Sequence, residues 1–414
     1  MGDIRLSQTD SSAYAAVRAC ICGLLVFFAF FIRAAHAAPI GGGETDLSGV
    51  KEGWSWPVIV IQPPEGWGSP SGESIKYGLR AAEREISLSR EAINGFEVTF
   101  MFSSVADPAE LARRVETWRG MKSCAILSFG GDLMDLELKR LCAERGPSVI
   151  FAGGENIAIK NPANDSPFPY LFALDYTYFA RANALAAFAK QGVSGRSVVI
   201  MTDGLSEKLA RGAGKNADML RRDGVQTHVY FVPAMVQNRF DAQVREAVSS
   251  GAGVITSWLD SLSTLSVWRT VTLGRNDVTV CFSGVKNSIL LDADGLVLVD
   301  KDDILNHNDE GKHVMDVKAR DLFGRALADP VTAAKAYALG KWAIDGFVNA
   351  RVISAPSVAE ALSVADGIPL MDEMLSIDPR TNRPKSRKFC VLKVGGRAFE
   401  PVSSVDVYSV EVIE

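Results

Sequence analysis

Short apolar runs alternate with longer amphipathic segments along most of the chain. Runs at 57–61, 148–151 and 197–201 are rich in β-branched residues and too short for helices, which predicts buried strands. Between the runs lie segments such as the one with Leu111 and Val115, where apolar positions four residues apart predict a helix with one buried face. Strands that alternate with helices in this order form parallel sheets through right-handed crossovers. The sequence therefore predicts an α/β protein with two mostly parallel sheets.

Three local signals refine this pattern. Asp107, Pro108 and Glu110 predict a helix start, with the aspartate as its cap and the glutamate completing a capping box. Asp294 and Gly295 predict a hairpin turn. The segment 378–384 is rich in turn-forming residues and is predicted to be exposed.

The N-terminal segment has the pattern of a secretory signal peptide. Arg5 and Arg18 precede an apolar run at 19–32, and Ala35 and Ala37 provide the small residues of a cleavage site. We expect residues 1–37 to be removed and the mature chain to act in the periplasm. An uncleaved membrane anchor is the alternative, but the run is shorter than the roughly 20 apolar residues that a membrane-spanning helix needs.

Length and charge narrow the class of protein. The 414 residues are too many for one ordinary core, which favours two domains. The formal net charge is −5, and it becomes −6 without residues 1–37, which hold three arginines and two aspartates. An acidic chain with no basic stripe is a poor candidate for nucleic-acid binding.

The chain lacks recognisable catalytic or metal-binding motifs. Its histidines outside the predicted signal peptide have no metal-ligand spacing and no nucleophile motif beside them. Cys124 and Cys281 lie in apolar runs and are expected to be buried free thiols. We therefore expect no catalytic residues, metal or cofactor. The residues considered are His228, His307, His313, Cys124, Cys142, Cys281 and Cys390.

Candidate binding residues follow the predicted strands, where open α/β sheets bind ligands. Small residues there let a ligand approach the backbone, and aromatic residues offer stacking surface. Ordinary connecting loops are the alternative for each residue taken alone. The candidates in the first half are Trp67, Ser71, Ser128, Phe129, Gly130, Gly153, Glu155 and Asn156, and those in the second half are Tyr176, Tyr178, Asp203, Trp258 and Asp260.

The order of these segments resembles the type I periplasmic binding proteins, in particular the branched-chain amino-acid branch that serves ABC importers. The likeness covers about residues 58–402. It rests on the first strand with Gly72 and the helix at 78–82, on the helix start at 107–110, and on the closing segments at 377–384 and 389–397.

The resemblance implies two Rossmann-like lobes joined by a three-segment hinge. Lobe one would comprise residues 57–171 and 305–350, and lobe two residues 175–298 and 351–414, with the first crossing at 172–175. A small molecule captured between the lobes would be delivered to the membrane permease of an ABC importer by a monomeric protein. A periplasmic sensor of the same fold, signalling to a membrane partner, is the alternative.

The resemblance also implies roles for single residues. Ser128 lies near the family's serine that holds the ligand carboxylate, and Gly153 to Asn156 resemble its backbone-donor loop. Ser71 falls where relatives often have an aromatic residue. Tyr178 lies near the position that faces the ligand's ammonium group, where contact with ligand and simple packing are both open. The acid that relatives place after the last cleft strand is absent around 283–286, so a neutral, aromatic or anionic ligand fits as well as an amino acid.

Overall fold

The structure is a computed structural model that describes residues 55–88, 97–121, 123–153, 157–175, 178–193, 195–204, 206–232, 237–274, 277–284, 287–302, 315–321, 324–370 and 374–408. The predicted signal peptide at 1–37 lies outside the described residues. Among those described, no helix is both long and apolar enough to cross a membrane.

Strands and helices alternate in the described residues, as the sequence predicts. The strands are β1 (Ser55–Ile61), β2 (Glu97–Ser103), β3 (Ala125–Ser128), β4 (Ser148–Phe151), β5 (Leu171–Ala173), β6 (Ser197–Thr202), β7 (Thr227–Phe231), β8 (Ala252–Trp258), β9 (Thr279–Phe282), β10 (Val297–Asp302), β11 (Ile368–Pro369), β12 (Met374–Leu375), β13 (Ile377–Asp378), β14 (Arg383–Pro384), β15 (Ser386–Gly395) and β16 (Ala398–Tyr408). The helices are α1 (Pro70–Leu88), α2 (Pro108–Gly120), α3 (Gly131–Cys142), α4 (Tyr178–Gly192), α5 (Glu207–Arg222), α6 (Gln237–Ser249), α7 (Ser261–Gly274), α8 (Pro330–Asn349) and α9 (Ala355–Ser363), with a 3-10 helix at Ser288–Asp292 and a helical segment at 315–321.

Two mostly parallel sheets organise the chain, which confirms the predicted fold class. The first has the order β2-β1-β3-β4-β5, and all its neighbours are parallel. The second has the order β16-β15-β10-β9-β8-β6-β7. Its strands β6 to β10 are parallel, while β15 and β16 add an antiparallel edge beside β10.

The parallel strands of the two sheets have the same order. Numbered from the start of each half, both sheets read 2-1-3-4-5. In this order the chain reverses its winding direction between the first and third strands, which opens a crevice at their carboxyl ends. The fold therefore has two such crevices, one between β1 and β3 and one between β6 and β8.

Each sheet has its own hydrophobic core. The first core packs β1 to β5 against α1, α8 and α9. The second sheet is covered on both faces, by α4 and α5 on one side and by α6 and α7 on the other. The structure differs here from the sequence prediction, which grouped residues 351–414 with lobe two. Val358, Leu362 and Ile377 are buried in the first core, so the chain joins the second sheet only at β15.

The segment 315–321 returns the chain from β10 to the first core. Met315 is buried in that core, and Lys318 pairs with Glu85 of α1. The same carboxylate accepts a hydrogen bond from the hydroxyl of Tyr337 at 2.6 Å and from Lys341 at 3.3 Å. Partial burial opposes ionisation, but these hydrogen bonds and charges lower the pKa of Glu85.

Two local predictions are corrected. Asp107 caps α2 by accepting a hydrogen bond from the Ala109 N–H at 3.0 Å, but Glu110 bonds Arg114 at 3.1 Å and does not complete a capping box. The Asp294–Gly295 turn is present, and Gly295 has a φ of 86°. The turn leads into β10, which is parallel to β9, so the predicted hairpin is not formed.

The cysteines of the described residues are buried and form no disulfide, as expected for Cys124 and Cys281. Burial raises the pKa of Cys124 to about 11 and that of Cys142 to about 12. Burial also raises the pKa of Cys281. The thiols are therefore protonated at neutral pH.

A glycine in the middle of α1 sets the distance between α1 and α8. A Cβ atom on Gly78 would lie 2.0 Å from the carbonyl oxygen of Ala333 and 2.9 Å from the Cβ atom of Ala336. Because backbone cannot move as a flexible side chain does, only glycine permits this approach.

Gly78→Ala is expected to lower the free energy of unfolding by at least about 2 kcal/mol, because it forces two packed helices apart. Gly214→Ala is the matched control: it is an exposed glycine within α5 with no atom within 4 Å of its would-be Cβ. The control should raise stability by about 0.5–1 kcal/mol through helix propensity alone. Urea unfolding measures both, and equal effects of the two substitutions would contradict the close-packing argument.

Candidate functional site

The carboxyl ends of the central strands bring the sequence candidates together in two groups. Ile61 of β1 pairs with Ser128 of β3, which places the loops after these strands side by side. Thr202 of β6 pairs with Trp258 of β8 in the same way. Since parallel strands end at a common edge, each group lies at the crevice of its own sheet.

Helix α3 presents its N-terminus at the first crevice without a side-chain cap. Gly130 occupies the capping position and makes no side-chain hydrogen bond. A Cβ atom there would lie 2.7 Å from the Cβ atom of Met134, so packing excludes the usual capping residues. The helices α2, α5, α8 and α9 are instead capped by Asp107, Ser206, Asp329 and Ser354. The first backbone N–H groups of α3 are therefore suited to an anionic partner.

Asp135, in the early part of α3, carries a buried carboxyl group. Asp135 is 5% exposed and Ser128 is 1% exposed, and the Ser128 hydroxyl donates to Asp135 Oδ1 at 2.5 Å. Ser128 Oγ also accepts a hydrogen bond from the Gly130 N–H at 3.4 Å. Burial raises the pKa of Asp135 to about 7; the hydrogen bond from Ser128 opposes this rise, and the charge of Asp132 adds to it. Sequence reasoning identified Ser128 and missed Asp135.

The other candidates on the first sheet pack around this loop. The indole N–H of Trp67 donates to the Ser103 carbonyl at 3.0 Å, and its ring meets that of Phe102 edge-on at 5.1 Å. Phe129 packs against the first core. Ser71 lies in the first turn of α1. Trp67 and Phe129 therefore pack against the first core near the carboxyl edge of its sheet.

The structure describes only some of the candidate residues near the crossing between the sheets. Gly153 follows β4, and its carbonyl accepts a hydrogen bond from the Asp175 N–H at 3.2 Å. Tyr178 is the first residue of α4. Glu155, Asn156 and Tyr176 lie outside the described residues.

The acids of the second group have structural partners. Asp203 accepts a hydrogen bond from the Ser206 N–H at 3.2 Å. Asp260 caps α7 by accepting from the N–H groups of Leu262 at 2.8 Å and Ser263 at 3.0 Å. Partial burial opposes ionisation, but these bonds and that of the Ser263 hydroxyl lower the pKa of Asp260.

Trp258 is a core residue in this structure. It is 1% exposed and belongs to the core beneath α4 and α5. A Cβ atom on Gly212 would lie 2.1 Å from its ring, so the glycine makes room for the indole. Trp258 was a candidate ligand contact because it ends a strand. In the structure, its large apolar ring is buried in the core instead.

Polar groups other than the selected candidates lie at the same edge of the second sheet. Arg181 of α4 donates from Nη1 to the Ser283 carbonyl at 2.7 Å. The buried hydroxyl groups of Thr202 and Ser283 have no hydrogen-bond partner within the described residues. A single arginine in the Ala-rich run after Tyr178 was the available signal. The carboxyl edge of the second sheet therefore carries the guanidinium of Arg181 and the hydroxyl groups of Thr202 and Ser283.

Asn382 joins the first and last chain crossings between the sheets. Its side-chain amide donates to the backbone carbonyls of Phe168 and Leu171, both at 3.0 Å. Its own backbone carbonyl accepts from the Ala173 N–H at 3.2 Å. Asn382 has a φ of 49°, a left-handed conformation that asparagine tolerates better than most residues.

Arg383 adds a buried cation to the same junction. Its guanidinium donates to the carbonyl of Asp175 and, at 2.8 Å, to that of Ile157. The carboxylate of Asp175 lies 3.6 Å from Lys335 of α8. Asp378, Asn382 and Arg383 are buried, whereas Pro379 and Arg380 are exposed, so the prediction that this turn is exposed holds for its tip alone. The turn fixes the segment that leads from β5 into α4.

Comparison with solved structures gives the fold. The chain superposes on a periplasmic binding protein type 1 from Bordetella pertussis with a TM-score of 0.57, at 13% identity over 84% of this chain and 100% of that one. The fold is that of the type I periplasmic binding proteins. No known family profile matches the sequence, and no curated protein matches it.

Two further structures share the type I periplasmic binding fold. A leucine binding protein from Thermotoga maritima has a TM-score of 0.58 at 16% identity, over 84% of this chain and 98% of its own. An ABC transporter substrate-binding protein from Desulfitobacterium hafniense, in complex with Leu, has a TM-score of 0.61 at 14% identity, over 84% of this chain and 100% of its own. These neighbours are binding proteins, and the described chain spans nearly their whole length.

Arg383→Met is expected to lower the free energy of unfolding by about 3 kcal/mol, because it leaves two buried carbonyl groups without a donor. The control is Arg397→Met, which removes a largely exposed pair with Asp292 and should leave stability unchanged. Thermal or urea unfolding checks both. A loss no larger for Arg383 than for Arg397 would show that the buried junction contributes little.

Asp135→Asn should change how stability depends on pH. The folded pKa of Asp135 is raised from 3.8 to about 7, so the folded state holds the proton more tightly than the unfolded chain. Wild-type stability should therefore fall as pH rises through this interval, and the variant should lack that part of the fall. Melting temperatures measured from pH 5 to 8 check this, with Glu144→Gln, which changes an exposed acid just after the same helix, as the control. Parallel pH profiles for wild type and Asp135→Asn would contradict it.

Proposed function

We propose that this chain is an extracytoplasmic solute-binding protein that captures a small molecule between its two sheets and delivers it to an ABC-type importer. The observation that carries the proposal is the pairing of two type I crevices on one chain, each at the carboxyl edge of a 2-1-3-4-5 sheet. Likeness to substrate-binding proteins over nearly their full length supports it. The signal-peptide pattern at 1–37 supports a periplasmic location.

The charges at the two edges favour a ligand that carries a carboxylate. On the first sheet, the uncapped N-terminus of α3 offers backbone N–H groups to an anion. On the second sheet, the described edge presents Arg181, while Asp203 and Asp260 accept hydrogen bonds from neighbouring backbone. The ligand class that we propose is a small organic acid, with amino acids among its members.

Lobe closure is the proposed mechanism of capture. The crossings between the sheets form the proposed hinge, and Arg383 and Asn382 hold the first and last of them side by side. A ligand that contacts both crevices stabilises the closed arrangement by its differential affinity for that state. The closed form is the species that a monomeric receptor offers to a permease.

A thermal-shift screen of the chain without residues 1–37 tests the proposal. A compound present at about 100 times its dissociation constant adds about 2.7 kcal/mol to stability and should raise the melting temperature by several degrees. We expect the largest shifts from compounds with a carboxylate and smaller or no shifts from their amides. Chromatography of each positive compound after incubation should recover it unchanged, as expected for a binding protein. Turnover, or shifts from amides alone, would overturn the proposal.

Tyr178→Ala is expected to weaken binding of the best compound at least about tenfold, because α4 begins at the second crevice. The exposed Tyr408→Ala serves as the control for loss of a tyrosine. Calorimetry gives the affinities, and the melting temperature of the unliganded variants shows whether folding has changed. Unchanged affinity together with a lowered melting temperature would assign Tyr178 to packing.

A further inference from the structure

Asp135 stands apart from the other acids of the crevices. Within the described residues its only hydrogen-bond partner is Ser128, whose Oγ also accepts a hydrogen bond from the N–H of Gly130 at the start of α3. Asp203 and Asp260 each accept hydrogen bonds from backbone N–H groups. No backbone N–H of the described residues donates to Asp135, although its side chain is almost fully buried.

We propose that Asp135 is a specificity-determining residue that acts through Ser128, so that the first crevice binds a carboxylate only when Asp135 is neutral. A carboxylate ligand is then bound together with a proton. This inference rests on the proposed function and names the chemistry of the same site.

Hydrogen-bond accounting supports the role of Ser128. When Asp135 is charged, the single hydroxyl proton of Ser128 is donated to it, and Ser128 Oγ accepts from the Gly130 N–H. The serine then has no proton for a ligand. When Asp135 is neutral, its own proton can be donated to Ser128 Oγ. The serine proton is thereby released toward the crevice, where it can be donated to a carboxylate.

Electrostatic effects also favour carboxylate binding when Asp135 is neutral. Asp135 lies one turn inside α3, so its negative charge offsets the positive end of the helix dipole that would attract an anion. A charged Asp135 and a ligand carboxylate would also repel each other in a buried setting. A raised pKa of about 7 for Asp135 means that both forms are populated near neutral pH.

Other charged groups around Asp135 are few in the described part of the chain. Asp132, exposed on the same helix, is the one whose charge acts on it. The strands beneath, β3 and β4, carry no ionisable side chains. On the neighbouring α2, Arg114 pairs with Glu110, and Arg119 pairs with Glu116 and donates to the carbonyls of Leu141 and Gly146.

The test uses three matched probes: L-leucine, 4-methylpentanoate, which lacks the amino group, and 3-methylbutylamine, which lacks the carboxylate. Calorimetry at pH 6 and pH 8, each in two buffers of different ionisation enthalpy, gives affinity and proton uptake. We expect both carboxylates to bind about tenfold more weakly at pH 8, because only a minor fraction of Asp135 is then neutral. At pH 8 each bound carboxylate should take up close to one proton, and the amine should not bind.

Variants separate this role from a purely structural one. Asp135→Asn can still donate to Ser128, so it should bind the carboxylates at pH 8 as wild type does at pH 6, without proton uptake. Ser128→Ala should bind them weakly at both pH values. Glu144→Gln, which removes an exposed acid just after α3, should keep the wild-type pH profile.

The outcomes distinguish this inference from the proposed function. Carboxylate binding with equal affinity at pH 6 and 8 would overturn the inference alone, as would proton uptake that persists in Asp135→Asn. Tighter binding of the amine as pH rises would overturn it too, since a charged Asp135 would then be the ligand partner. Failure of all three probes at both pH values would overturn both the inference and the proposed ligand class.

Discussion

Parallel strands constrain this molecule more than any single side chain does. Neighbouring parallel strands need a long crossover between them, and right-handed crossovers on both faces leave a crevice where the winding direction reverses. The chain satisfies this constraint twice with the same strand order. The position of both candidate groups follows from the strand order, and side chains only decide what each crevice holds.

The way the chain passes between the sheets is a second consequence. Each sheet has its own core, but α8, α9 and the strands up to β14 return to the first core before the chain ends in the second sheet. The last crossing therefore runs beside the first, and the buried guanidinium of Arg383 joins them. A buried cation is stable there because it donates hydrogen bonds to two backbone carbonyls, which cannot move away as side chains do.

Periodicity predicted the sheets, most helices and the strand ends, because burial on one face leaves a regular apolar pattern. It did not reveal β10, since Asp300, Lys301 and Asp302 interrupt the apolar run and the strand is held by antiparallel pairing with the distant β15. It misjudged Trp258, because a strand-end position does not show which glycine on another helix makes room for the ring. Asp135 was missed for a similar reason: in sequence it resembles any acid on a helix, and only tertiary packing buries it beside Ser128.

The buried thiols can serve as probes of local opening of the chain. Cys124 and Cys142 lie in the first half of the chain and Cys281 in the second, and each is buried with a raised pKa, so alkylating reagents reach a reactive thiolate only after local opening. The rate at which each cysteine is modified therefore reports how often its own sheet opens. The modification rates of thiols in the two halves of the chain then show whether the two sheets of one molecule open independently.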